Sequence, residues 1–123
     1  MAVKRVYAAV SPGDGFRVLV DRLWPRGLSK EKAKIDLWLK DAAPSHELRV
    51  WFDHQPGRWP HFLRRYRLEL QANSRSGAAF ERLKLLVREN PRLTLLFGAK
   101  EEHMNNAVAL KRFLDDAAPF STP

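Results

Sequence analysis

The stretch formed by residues 17–30, RVLVDRLWPRGLSK, begins as a strand and ends in a polar, basic turn. Residues 18–20 are an unbroken apolar run, which is typical of a short strand covered on both faces. Pro25 cannot donate to a sheet ladder, so strand pairing should end just before it. Ser29 is a favourable N-cap for a helix beginning at Lys30. The stretch therefore predicts a strand, a loop and a helix in immediate succession.

Four polar or aromatic residues stand at the carboxyl end of this predicted strand: Asp21, Arg22, Trp24 and Arg26. Open α/β sheets bind ligands at the carboxyl ends of their strands, so four such residues within six positions favour a binding site. Each residue also has a structural interpretation. Asp21 and Arg22 would then form an ion pair, and Trp24 would fill the core.

A second buried strand is predicted at residues 93–97, LTLLF, and it ends in the small residues of positions 98 and 99. A last helix follows it. If this strand and the strand at residues 18–20 are parallel neighbours, Lys100 and Asn105 should face the polar residues that follow residue 20. The first free N–H groups of the last helix would point into the same crevice, where they favour anions. Helix capping is the competing role for Asn105 or Asn106.

The remaining apolar patterns give the fold class. Another strand is indicated at residues 3–7, at the start of the chain. Whether it runs parallel to the strand at residues 18–20 stays open. Spacings of three and four predict helices over four stretches: Ile35 to Leu39, Leu48 to Phe52, about 58 to 71, and Phe80 to Val87. We predict an α/β fold with a small, mainly parallel sheet flanked by helices in a Rossmann-like three-layer domain. This single domain should span residues 1–118, followed by a flexible tail at 119–123.

Composition narrows the function classes. The net charge is +8, which attracts anions, and the chain has no cysteine, which excludes disulfides and thiolate chemistry. The four histidines lack metal-site spacing, and no nucleotide-loop or dinucleotide motif is present. We therefore expect no metal and no cofactor.

No apolar run is long enough to span a membrane, and residues 1–10 lack a signal-peptide core, so we expect a cytoplasmic location. The oligomeric state stays open.

Several segments together resemble the YeaO-like proteins of domain-of-unknown-function family 488 (DUF488). They are KRVY, the run from GFRVLVDRLWPRG to RVWF, RWPHFLRRYRLEL and LTLLFGAKEEHMNNAVALKRFL. The resemblance covers nearly the whole chain and implies a small bacterial, cytoplasmic α/β protein, without an established activity to carry over. Many distant members of the broader family carry a Cys-His-Arg triplet after the second strand. This chain has Met104, Asn105 and Asn106 in that neighbourhood, so the resemblance implies no thiol chemistry here.

Three functions are compatible with these residues. The first is a site for a small phosphate- or nucleotide-like anion, with Arg22, Arg26 and Lys100 as anion contacts. Trp24 could stack on that ligand. Asp21 could be a general base, with Glu101 or Glu102 as its acid partner.

The second function is nucleic-acid binding through a basic face formed by Arg58, Arg64, Arg65 and Arg67. The third is a structural or interaction protein, which would expose an apolar patch. We expect the small-molecule site, with nucleic-acid binding as the alternative.

Overall fold

A computed structural model describes residues 1–117; the predicted tail and residue 118 lie outside the described residues. Its sheet has four strands, all parallel, in the spatial order β1-β4-β2-β3. The strands are β1 (Ala2–Arg5), β2 (Phe16–Leu19), β3 (Leu37–Trp38) and β4 (Leu93–Phe97). The helices are α1 (Lys30–Ala33), α2 (His46–Phe52), α3 (Trp59–Ala72), α4 (Ser74–Glu89) and α5 (Asn106–Ala117). The predicted fold class is confirmed.

The adjacency of the two central strands is the part of the fold that positions the site. β2 and β4 are parallel neighbours, with Val18 opposite Leu95 and Leu19 opposite Leu96. Their carboxyl ends therefore open on one edge, as the sequence argument required. The direction of the first strand is also settled, because β1 pairs in parallel with the far side of β4 rather than with β2.

The connection from β1 to β2 passes close to the start of β4. Gly15 has a φ of +65°, and a Cβ built there would lie 2.2 Å from the Arg92 carbonyl oxygen. Only glycine allows this approach, because any side chain would collide with backbone atoms.

The prediction of a helix from Ile35, Trp38 and Leu39 is wrong. Leu37–Trp38 is instead a two-residue edge strand beside β2. Ile35 packs on one side of the sheet and Leu39 in the main core on the other, so the spacing does not mark one helical face. The other three predicted helices, and the last helix, are present as α2, α3, α4 and α5.

The two faces of the sheet are covered unequally. Val18, Val20 and Leu95 belong to the main core, which contains buried side chains of α2, α3, α4 and α5. The opposite face carries a small cluster of Val6, Leu19 and Leu96, covered by residues of the loops on either side of α1. Successive strand residues point to opposite faces, which accounts for this division.

Beside the small cluster, the same face holds a buried ion network. The Arg17 side chain is 3% exposed and donates from Nη1 to Asp14 Oδ2 at 2.5 Å. Its other nitrogens donate to the carbonyl oxygens of Ala33 and Lys34, at 2.9 and 3.0 Å, which closes the end of α1. Lys4 Nζ contacts the other oxygen of Asp14 at 3.0 Å. The network thus joins β1, β2 and α1.

The pKa of Asp14 is set by two opposing effects. Burial acts to raise it, but hydrogen bonds from the Ser11 N–H, Lys4 and Arg17 outweigh burial and hold the pKa below its usual value. A carboxylate with a depressed folded-state pKa stabilises the fold above its unfolded-state pKa. That stabilisation is lost as the pH falls through the folded-state value.

We expect Arg17→Met to lower the free energy of unfolding by about 3 kcal/mol, because it leaves the Asp14 carboxylate buried with one fewer cation. Urea denaturation would measure this loss. Exposed Arg82 on α4 gives the matched control, since Arg82→Met should change stability by no more than about 0.5 kcal/mol. Equal effects at the two positions would contradict a stabilising role for the network.

Candidate functional site

A cleft of about 260 Å³ lies at the carboxyl edge of the sheet. Its walls come from the loop after β2, the loop after β4 with the start of α5, and helix α2 with its flanking residues. Phe62 of α3 also lines it. Seven of its fourteen lining residues are apolar, and these include Ala43, Pro44, Phe52, Phe62 and Met104. The other seven are charged or polar: Asp21, Arg22, His46, Arg49, His54, Asn105 and Asn106. The cleft therefore combines an apolar floor, which includes the buried Phe52 and Phe62, with a polar rim that carries Arg22 and Arg49.

Asp21 joins the three elements that meet behind the cleft. Its Oδ2 accepts a hydrogen bond from the Gly98 N–H at 2.8 Å, at the end of β4. Its Oδ1 accepts one from Asn106 Nδ2 at 3.1 Å, at the start of α5. The same Asn106 amide nitrogen donates to the Val20 carbonyl oxygen at 2.9 Å. Each oxygen of Asp21 thus accepts a hydrogen bond from a neutral donor.

Burial raises the pKa of the Asp21 carboxyl above its usual value. The hydrogen bonds from Asn106 and Gly98 and the positive charge of Arg49 lower it, but they do not offset burial. No lysine, arginine or histidine nitrogen within residues 1–117 lies within 4.0 Å of the carboxylate. The possible ion pair with Arg22 is not formed. Arg22 Nη2 lies 3.4 Å from the carbonyl oxygens of Ala43 and Pro44 instead.

The loop after β4 is ordered by Glu101 and Asn105. The Glu101 carboxylate accepts the N–H groups of His103 and Met104, and these hydrogen bonds lower its pKa. Asn105 Nδ2 donates to the Glu101 carbonyl oxygen at 2.8 Å, and its Oδ1 accepts the Val108 N–H at 2.9 Å. Asn105 therefore caps α5 while it also lines the cleft.

Of the six residues predicted for the site, the structure brings Asp21, Arg22 and Asn105 to the cleft, whereas three others lie outside it. Trp24 packs with the small cluster on the opposite face of the sheet, where its Nε1 donates to the Leu28 carbonyl oxygen at 2.7 Å. Arg26 is exposed, and its carbonyl oxygen accepts the Tyr7 hydroxyl at 2.9 Å. Lys100 is exposed and does not line the cleft.

Three cleft residues that sequence reasoning did not assign to the site come from α2 and the turn after it: His46, Arg49 and His54. Ser45 fixes the start of α2, because its Oγ accepts the Leu48 N–H at 3.1 Å. His46 and Arg49 then share a helix face, and Arg49 Nη2 lies 3.3 Å from His46 Nδ1. Their spacing of three residues, beside the apolar Leu48, could have indicated a shared polar face of the helix. It does not reveal which part of the protein lies opposite that face.

The turn after α2 carries backbone strain. Asp53 and His54 both have positive φ values, 45° and 51°, which non-glycine residues adopt uncommonly. This turn places His54 at the cleft. Strained backbone is concentrated at functional sites, so the turn directs attention to this wall of the cleft.

Three of the four arginines of the predicted basic face lie over aromatic rings. Arg58 and Arg65 both lie over the Trp51 ring, at 5.5 and 5.0 Å from its centroid. Arg67 lies over Phe113 and contacts Asp116 Oδ2 at 3.5 Å. Arg64 is exposed.

Residues 1–117 offer neither a metal-binding cluster nor a membrane-spanning helix. No group of three or more histidine, cysteine, aspartate or glutamate side chains there could hold a metal ion. None of the helices in that part of the chain combines the length and apolar character needed to cross a membrane.

Comparison with known proteins gives one family model and several uncharacterized relatives. A family model described as the inactive DUF488-N3 subclade matches residues 1–121. The chain is 40% identical over 111 residues to the uncharacterized protein YeaO of Escherichia coli (strain K12), which covers 90% of this chain and 93% of that protein. It is 53% identical over 68 residues to an uncharacterized protein of Mycobacterium tuberculosis (strain H37Rv). That alignment covers 55% of this chain and 58% of the relative's length. No solved structure matches.

The raised pKa of Asp21 predicts a pH dependence of stability. Between the unfolded-state and folded-state pKa values the native protein holds the extra proton, so its stability should fall as the pH rises through that window. In Asp21→Asn this decline should disappear, and the variant should lose about 1–3 kcal/mol because its amide replaces one acceptor by a donor. Urea unfolding of both proteins from about pH 4 upwards measures the two curves. Parallel curves would contradict the prediction.

Proposed function

Because the chain belongs to the DUF488 family, as a YeaO-like protein of the inactive DUF488-N3 subclade, we propose that its cleft binds a small organic anion without transforming it. The observation that carries the proposal is the charge of the rim. Arg22 and Arg49 are the arginines among its lining residues within 1–117, and Asp21 is the acidic residue there. His46 and His54 add ring nitrogens to the same cleft. A rim of predominantly one sign concentrates ligands of the opposite sign.

The proposal of binding without catalysis rests on how the polar groups of the cleft are occupied. Each oxygen of Asp21 accepts a hydrogen bond, and Asn106 and Asn105 hold the loops together. The chain has no cysteine to act as a nucleophile. Acid–base catalysis by Asp21 is the alternative chemistry of the same cleft, and it would require the carboxylate to exchange one of those bonds for substrate.

The apolar floor indicates the other half of the ligand. Phe52 and Phe62 pack together, with ring centroids 4.5 Å apart, and both line the cleft with Met104. Burying apolar ligand surface there contributes about 25 cal/mol per Å². A phosphate or carboxylate group on an apolar body therefore fits the cleft better than inorganic phosphate alone.

Calorimetric titration with phenyl phosphate, 3-phenylpropanoate and inorganic phosphate tests the proposal. We expect one of the two phenyl compounds to bind the wild type more tightly than inorganic phosphate. Arg49→Gln should weaken that binding about 10-fold or more, because a hydrogen bond to a charged group contributes about 1.5–3 kcal/mol. Arg82→Gln, an exposed arginine on α4 outside the cleft, should bind like the wild type.

Nucleic-acid binding is tested in the same experiment. A short single-stranded oligonucleotide is titrated at two salt concentrations, with Arg64→Gln added as the basic-face variant. Binding of the oligonucleotide that falls steeply with salt and weakens in Arg64→Gln, without binding of any small anion, would favour the basic surface and reject the cleft. Turnover of phenyl phosphate that is lost in Asp21→Asn would reject the non-catalytic function.

A further inference from the structure

We infer that the ligand of this cleft is a zwitterion of the α-amino-acid type with an apolar side chain, whose ammonium group contacts Asp21 and whose carboxylate contacts Arg49. This inference rests on the proposed function, because the carboxylate of the zwitterion is the anionic group that the cleft binds. It is carried by three features of the cleft: an acidic wall, a cationic wall and an apolar floor.

The acidic wall is a carboxylate without a cationic partner. Asp21 lines the cleft, and its two oxygens accept hydrogen bonds from an amide and a backbone N–H only. Within the described chain no cationic nitrogen lies within 4.0 Å of it. A largely desolvated carboxylate is costly unless it is paired, and each oxygen keeps a second lone pair that a ligand can use. A ligand ammonium supplies both the charge and the donors.

The cationic wall stands apart from the acidic one. The positive charge of Arg49 acts on the Asp21 carboxyl, yet the two side chains do not form an ion pair. Both line the same cleft. Opposite charges that share a cleft without meeting match a ligand that carries both charges. In an α-amino acid the ammonium and the carboxylate are attached to the same carbon atom, so the two groups can reach the two walls together.

The apolar floor completes the match. Phe52, Phe62 and Met104 line the cleft beside the charged groups, and a side chain placed there loses no hydrogen bond. A simple anion would leave the Asp21 charge unpaired. A simple amine would meet the cationic rim without a carboxylate to offset it. The zwitterion is the class of ligand that satisfies all three parts.

Two matched pairs of probes test the inference: L-phenylalanine against 3-phenylpropanoate, and L-leucine against 4-methylpentanoate. Each pair differs by the ammonium group alone. By calorimetric titration against the wild type, we expect at least one amino acid to bind about 10-fold more tightly than its partner acid, the effect of one charge-assisted hydrogen bond. In folded Asp21→Asn the amino acid and its partner acid should bind equally well, and comparing the two probes on the same variant cancels any change in the cleft that affects both. In Arg49→Gln both members of the pair should weaken together.

The comparison on the wild type decides the inference even if Asp21→Asn does not fold. If both acids bind as tightly as their amino acids, or if phenyl phosphate binds and neither amino acid does, the zwitterion is excluded while the anion-binding function stands. If neither the anions nor the amino acids bind, the proposed function fails and this inference fails with it. An ammonium preference that persists in folded Asp21→Asn would also exclude the assigned role of Asp21.

Discussion

The hydrogen bond from the Gly98 N–H to the Asp21 carboxylate fixes the edge of the sheet on which the cleft depends. β2 and β4 run parallel, so both chains leave the sheet at this edge, and without a link their loops would be free to separate. Asn106 extends the link to α5 through the second carboxylate oxygen. One side chain therefore holds two strand ends and a helix start together. Ala99, Asn105 and Asn106, which line the cleft, lie on the chain that this junction holds beside β2.

The junction also explains why a small residue ends β4. A Cβ built on Gly98 would lie 3.1 Å from Asp21 Oδ2, which is closer than most Cβ contacts. A larger residue would push the carboxylate away from the backbone N–H that it accepts. The cost of burying Asp21 is thus offset by a backbone donor that only a small neighbour leaves accessible, and the raised pKa reports what remains of that cost.

Much of this architecture could be predicted from the sequence, because buried parallel strands are unbroken apolar runs. β2 and β4 were identified on that signal, and Ser29 marked the start of α1 as its N-cap. β3 was missed because a two-residue edge strand is too short to show alternation. Leu37 and Trp38 carry their strand character only through pairing with β2, which a local pattern does not reveal.

Only the part of the site that follows a strand could be predicted from the sequence. The remainder comes from a helix that packing brings to the cleft. Asp21 and Arg22 follow a strand end, and strand ends are known ligand positions. Trp24 also follows that strand, but the loop turns and packs its ring against the opposite face of the sheet. Arg49 stands on a helix whose distance from the strand ends depends on three-dimensional packing. The residue spacing within α2 does not predict that its polar face and Asp21 line the same cleft.

Two asparagines after β4 connect the loops at the cleft to the rest of the fold. Asn105 caps α5 by accepting the Val108 N–H, and Asn106 ties the start of that helix to Asp21. Both side chains also line the cleft. The hydrogen bonds that hold the loop after β4 in place are therefore made by residues of the cleft wall itself. A substitution at either position would alter the loop and the cleft together.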